Sequence, residues 1–266
     1  MQRVTSRHNP RLREAAALVA SARERRRSGK CVLEGEHVVA ASTGRHGAPE
    51  TLIVTDAALA TPTVRALAEL HPERTLVVSE SLFAGIASLP ASVGVLAIVA
   101  APRPALAVDA DFCLLLDGVQ DPGNVGSMLR SAAAAGVARV LLSKHCAFAW
   151  SPKVLRAGQG AHFCLDIHED VDLPAWAQAY RASGAAVVAA VAAGGTSLFA
   201  ASLAGRVALA IGNEGAGLSA ELAAQATQRV TIPMPGGVES LNAAAAAAIC
   251  LFECVRQRDA PKGASA

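Results

Sequence analysis

The chain has 266 residues, 52% of them hydrophobic but only 3% aromatic, with a formal net charge of +2 and six cysteines that form no C-x-x-C pair. That length holds one large or two modest domains, and a core of Ala, Val and Leu suits α/β layers. No apolar run reaches the length of a membrane span and Met1-Gln-Arg-Val lacks a secretory apolar region, so a cytoplasmic location is expected.

In chain order, Asn9 as N-cap and Pro10 at the first helical position predict a helix running to Ser28-Gly29. Cys31-Val-Leu-Glu-Gly reads as strand and turn, and Glu36 to Ala41 as the next helix. TLIVTD (51–56), TLVVSE (75–80) and VGVLAIVA (93–100) are β-rich, separated by helical or looping stretches at 62–70 and 81–88. Residues 1–100 thus form a small α/β domain. Residues 101–109 are the linker candidate, because Pro102 and Pro104 hold the backbone extended.

A second domain is expected over 110–258, with a frayed tail at 259–266. Its strand candidates are Phe112 to Leu116, Val140 to Ser143, His162 to Ile167, Ala186 to Val191, Val207 to Ile211 and Val230 to Ile232. Helices fall near Val125 to Ala135, Leu173 to Ala182 and Ala220 to Ala226. A last helix, Leu241 to Arg258, is capped by Ser240 and contains six successive alanines. Apolar strands alternating with helices imply a mostly parallel sheet covered on both faces.

In such a sheet ligands bind beyond the carboxyl ends of strands, so the loops after Leu116, Ile211 and Ile232 should carry function. No G-x-G-x-x-G follows a strand and no P-loop motif occurs, which argues against a dinucleotide enzyme or a P-loop NTPase. The first loop and its helix place Asn124 and Arg130; the second, Gly-Asn-Glu-Gly-Ala-Gly, has Glu214 as its only charge; the third leads to Ser240 and Asn242 at a helix mouth, where free N–H groups favour polar ligand atoms. Singly, Asn124 reads as a cap, Arg130 as a surface cation and Glu214 as a turn residue. Together, in three equivalent loops, they point to a site. His162, Cys164 and His168 fit strand alternation as well as ligation, and no metal is assigned. The first thirty residues hold nine Lys or Arg against Glu14 and Glu24. A solvated helix face and a polyanion partner explain that run equally well.

Three motifs, DPGNVGSMLRSAAAAG (121–136), ALAIGNEGAGLS (208–219) and VTIPMPGGVESLNAAAAAAI (230–249), resemble in order and spacing those of the SpoU, or TrmH, RNA 2′-O-ribose methyltransferases of the SPOUT superfamily. Ser6-Arg-His-Asn-Pro and Val32-Leu-Glu-Gly more weakly resemble the N-terminal substrate-binding domain of members that modify ribosomal RNA. The resemblance implies an α/β catalytic domain with a C-terminal trefoil knot, joined as a homodimer. It implies S-adenosylmethionine cradled around Ile211, Gly212, Ile232, Met234 and Leu241, and polar active-site positions at Asn124, Arg130, Glu214, Ser240 and Asn242. RNA contacts are expected at Arg7, Arg25, Arg26 and Arg27. The substrate implied is 23S ribosomal RNA, with a tRNA 2′-O-methyltransferase or a non-catalytic RNA-binding protein as alternatives.

Overall fold

The computed structural model describes residues 1–88 and 93–259; the tail expected at 259–266 lies outside them except for Asp259. The chain divides into two compact units, Met1–Pro102 with Trp150–Phe163, and Arg103–Ala149 with Cys164–Ala266. The half of the chain after the proline-rich stretch therefore lends one excursion to the first unit.

The first unit contains β1 (Gln2–Val4), α1 (Pro10–Ala20), α2 (Ala22–Ser28), β2 (Lys30–Glu34), α3 (Glu36–His46), β3 (Thr51–Thr55), α4 (Pro62–Leu70), β4 (Thr75–Val78), α5 (Glu80–Ala84) and β5 (Val95–Ala100). The strands form one sheet in the order β1-β4-β3-β5-β2, with β5 antiparallel to both neighbours. Leu12, Ala15 and Leu18, on one face of α1, pack with Ile53, Leu76, Leu96 and Ile98 of the sheet.

The single helix expected over 10–28 is two. Ser21 leaves helical geometry (φ −123°, ψ 114°), and its hydroxyl accepts from the Glu24 amide and starts α2. The break exposes the last carbonyls of α1, and Arg25 folds back to serve them: its Nη1 donates to the carbonyls of Leu18 and Val19. Arg25 is therefore 7% exposed and braces the helix corner, which corrects its assignment as an RNA contact. Arg25→Ala should cost the first unit about 2 kcal/mol, because two charge-assisted bonds to buried carbonyls are lost; urea unfolding followed by circular dichroism measures this.

The second unit contains β6 (Phe112–Asp117), α6 (Pro122–Ala134) and β7 (Arg139–Leu142); after the excursion that carries α7 (Pro152–Gly158) it resumes at β8 (Asp166–His168). It continues through α8 (Leu173–Ala182), β9 (Ala186–Ala190), β10 (Thr196–Ser197), β11 (Val207–Gly212), α9 (Ala220–Ala223), β12 (Gln228–Thr231) and α10 (Ala243–Asp259). The strand expected at 162–167 is instead a 3-10 turn, Ala161–Cys164, followed by β8. Left-handed Gln159 (φ 48°) and Gly160 (φ 88°) turn the chain out of α7, so extended pairing begins only at Asp166.

All seven strands are parallel, in the order β10-β12-β9-β11-β6-β7-β8. Cys113, Leu115, Val187, Ala208 and Ala210 are buried under Leu173, Trp176, Ala177 and Tyr180 of α8. The end of the expected linker is clamped to this unit. Arg139 donates to the Ala107 carbonyl and Asp109, Trp176 Nε1 also reaches the Ala107 carbonyl, Arg206 donates to the Val108 carbonyl, and the Tyr180 hydroxyl donates to the Ala110 carbonyl.

β6 lies beside β11, with Asp117 opposite Gly212, and from β6 the chain goes outward to β7 and β8 before returning to β9. The carboxyl ends of β6 and β11 thus mark the topological switch point, where doubly wound sheets hold ligands. β12 is separated from β6 by β9 and β11, yet the loop after it returns to α6.

Candidate active site

Asp117, last in β6, accepts from the Ser219 amide at 2.8 Å and its hydroxyl at 2.6 Å, which ties the first loop to the end of the second. Asp121 caps α6 by accepting from the Asn124 amide at 2.8 Å. The second loop closes on itself. Asn213 and Gly217 exchange backbone hydrogen bonds of 2.8 and 3.0 Å, and the Asn213 side-chain oxygen accepts from the amides of Gly215 and Ala216. Gly212 is required there, because a Cβ at that position would overlap the Gly217 carbonyl and the Leu218 amide.

That hairpin presents Glu214 to the first loop. Its carboxylate accepts from Asn124 Nδ2 at 3.0 Å and from the amides of Asp121 and Gln120 at 3.3 and 3.4 Å. Desolvation is the largest single influence on Glu214 and raises its pKa, but the combined hydrogen bonds from Asn124 and the backbone outweigh it and hold the carboxyl below its ordinary value. A depressed carboxyl keeps its clamp at neutral pH and loses it only as pH falls through that lowered value.

The relay continues through Asn124, whose Oδ1 accepts from Asn242 Nδ2 at 2.9 Å. Asn242 in turn caps α10, its Oδ1 accepting from the amides of Ala244 and Ala245 at 2.9 and 3.2 Å. This corrects the expected cap: α10 starts two residues after the expected Leu241, and Ser240 stays in the loop. An asparagine amide can cap the helix with its oxygen and donate to Asn124 with its nitrogen, which a serine hydroxyl at 240 could not do from there.

The loops enclose a cavity of about 620 Å³. Ile211, Gly212, Ile232, Met234 and Leu241 all line it, as do Glu214 and Ser240. Asn124 and Asn242 join it through Glu214 rather than through its wall. Arg130 is exposed on α6, outside the lining, without a hydrogen bond or ion pair among the described residues. Ala190 to Ala192 and Glu239 also line the cavity, and neither they nor Asn213 were singled out from sequence. The Asn213 signal was present, since the residue sits between Gly212 and Glu214 in the glycine-rich loop. Ala190 to Ala192 carry no chemical signal; only the strand order brings them there. The walls are apolar apart from a few polar groups and the charged Glu214, Glu239 and Arg229, in a volume typical of cofactor sites.

In the first unit Arg7, Arg26 and Arg27 are exposed, with Arg27 bound to Glu24 at 2.6 Å. Among the described residues no group of three or more His, Cys, Asp or Glu could hold a metal ion, and no helix is long and apolar enough to cross a membrane.

Residues 111–252 match the SpoU rRNA Methylase family, and residues 9–97 the MRM3-like substrate binding domain. The chain belongs to the SpoU rRNA methylase family. It is 31% identical over 253 residues to the 23S rRNA (guanosine(2553)-2′-O)-methyltransferase RlmP of Bacillus subtilis, which covers 95% of this chain and 98% of the relative. It is 34% identical over 151 residues to the 23S rRNA (guanosine-2′-O-)-methyltransferase RlmB of Escherichia coli, covering 57% and 62% of the two chains. The SpoU methyltransferase AviRb of Streptomyces viridochromogenes, solved in complex with AdoMet, superposes with a TM-score of 0.83 at 30% identity, over 94% of this chain and 99% of that one. As a SpoU methylase, the chain has the SPOUT fold and is an S-adenosylmethionine-dependent RNA 2′-O-methyltransferase.

Proposed function

We propose that the methyl acceptor is a ribose of 23S ribosomal RNA, and that the cofactor occupies the cavity walled by Ile211, Gly212, Ile232, Met234 and Leu241. The carrying observation is that these five residues, brought from the end of β11 and the segment after β12, meet in one cavity whose wall includes Glu214, the residue that clamps the first loop through Asn124. The match of the first unit to a substrate-binding domain, and the ribosomal RNA enzymes among the relatives, support the acceptor.

When bound, S-adenosylmethionine supplies an electrophilic methyl on a sulfonium, so the chain has to align a 2′-oxygen and manage one proton. Arg130 is a poor general base, because a guanidinium holds its proton far above neutral pH. It serves instead as a fork that holds the adjacent phosphate and stabilises the developing alkoxide, while the proton leaves through phosphate or water. Glu214, Asn124 and Asn242 hold the three loops in register, and Ser240 shapes the cofactor side of the helix mouth.

The working form is a homodimer through α10. That helix packs one face on α6 and exposes Ile249 and Phe252, which are 37% and 48% accessible and three residues apart on one side. Phe252→Glu should convert a dimer to a monomer in analytical ultracentrifugation; an unchanged mass would place the contact elsewhere.

The acceptor is tested with labelled methyl transfer to unmodified 23S ribosomal RNA and to total tRNA, followed by nuclease digestion of the product. A 2′-O-methylated nucleotide from the 23S RNA alone is the expected result. Label in tRNA alone would move the substrate, and cofactor binding without transfer to either RNA or to the ribosomal subunit would leave a binding protein.

A further inference from the structure

Four of the nine cations of the basic run near the N-terminus are spent within the molecule. Arg3 forms a two-bond pair with Asp56, Arg25 serves the α1 carbonyls, Arg27 pairs with Glu24, and Lys30 bridges Glu14 and Glu50 at 2.7 and 2.5 Å. A cation already paired with a carboxylate releases little when it meets a phosphate, because it must first give up its partner.

A second set of cations in the same unit is not spent in this way. Segment 158–163 lies along the second half of α3: a Cβ on Gly160 would come 3.2 Å from Ala41 Cβ, and the His46 ring meets Phe163 edge-on at 5.5 Å. Arg45 stands one helical turn beyond Ala41, so it shares that face of α3. On α7, Val154, Leu155 and Gly158 are buried, which leaves Lys153 and Arg156 exposed three residues apart. The side chains of Arg45, Lys153 and Arg156 have no hydrogen bond or ion pair among the described residues. After Glu36, α3 has no acidic residue, and neither has 150–163.

Helix electrostatics explains only part of this set. Arg45, His46 and Arg156 lie in last turns, where a cation is favoured, but Lys153 is the second residue of α7, where the helix dipole disfavours it. A positive charge kept against the dipole, unpaired and exposed, points to a partner outside the chain.

We propose that Arg45, His46, Lys153 and Arg156 form a composite phosphate-binding surface that docks the backbone of the RNA substrate. The proposal rests on the reading that this protein methylates RNA, and the match of this unit to a substrate-binding domain favours RNA over other polyanions. The surface is assembled from stretches more than a hundred residues apart, one of them the excursion from the catalytic half of the chain. It positions the substrate and makes no contact with cofactor in the role assigned.

The test is binding of a 23S ribosomal RNA transcript at several potassium chloride concentrations by the full-length triple variant Arg45→Gln, Lys153→Gln, Arg156→Gln. Arg7→Gln with Arg27→Gln serves as comparison, and Arg45→Lys, Lys153→Arg, Arg156→Lys as the charge-preserving control. Affinity of the triple variant should fall at least tenfold. Its log-affinity against log-salt slope should flatten by about two, at roughly 0.7 per cation lost. S-adenosylmethionine affinity should stay unchanged, and the charge-preserving control should bind as wild type. A triple variant with wild-type affinity and slope overturns the surface alone. Wild-type protein that neither binds nor methylates RNA overturns the functional reading and the surface with it.

Discussion

Arg130→Ala should lower single-turnover methyl transfer by two to three orders of magnitude while leaving S-adenosylmethionine affinity at the wild-type value. The first part follows from the loss of a preorganised donor where negative charge develops, an effect of about a hundred- to a thousandfold in other sites. The second follows from geometry, because Arg130 is exposed on α6 and outside the cavity lining. Arg130→Lys discriminates further. A lysine keeps the charge but not the planar fork, so it should recover only a small part of the rate. Near-wild-type transfer by the lysine variant would remove the requirement for two parallel hydrogen bonds, and parallel loss of cofactor binding in the alanine variant would place Arg130 in the cavity wall.

Gly212→Ala should have the opposite signature, weakening cofactor binding by up to about a hundredfold. One methyl group would overlap backbone atoms of Gly217 and Leu218, which cannot move aside as a side chain would. The Asn213–Gly217 hairpin would have to open, and Glu214 would leave the amides of Gln120 and Asp121 with it. Overpacking of this kind costs about 1–3 kcal/mol, and about 3 kcal/mol corresponds to a hundredfold in affinity. Isothermal titration with S-adenosylmethionine measures it directly. A dissociation constant within a few-fold of wild type would mean that the loop is loose and that Gly212 does not shape the site.

The positions of the sheet and of the cofactor loops were legible because both are local signals. Apolar runs such as Phe112 to Leu116 and Val207 to Ile211 fix the strands, and Gly, Asn and Glu directly after them fix the loops. Capping at the third loop was misplaced by two residues, since Ser240 and Asn242 are both good caps and only the bond to Asn124 decides between them. Within the basic run only the fold shows which charges are neutralised: Lys30 finds Glu50, Arg3 finds Asp56, and Arg25 turns inward to the carbonyls of Leu18 and Val19. Helix α7 escaped notice because its seven residues, begun by Pro152 and ended by Gly158, are too short for a periodic pattern.

The chain of hydrogen bonds from Glu214 through Asn124 to Asn242 spans 90 and then 118 residues of sequence. During synthesis, Asn124 leaves the ribosome long before the partner that completes its contacts exists. Both N-terminal and central parts of the chain can collapse early on local and neighbouring pairings, but the cofactor cavity closes only after the segment beyond β12 has emerged and docked. Closure of such remote contacts is a late and slow event in folding. A chain that stops at β12 would therefore lack both the partner of Asn124 and the cavity wall formed by Ile232, Met234 and Leu241.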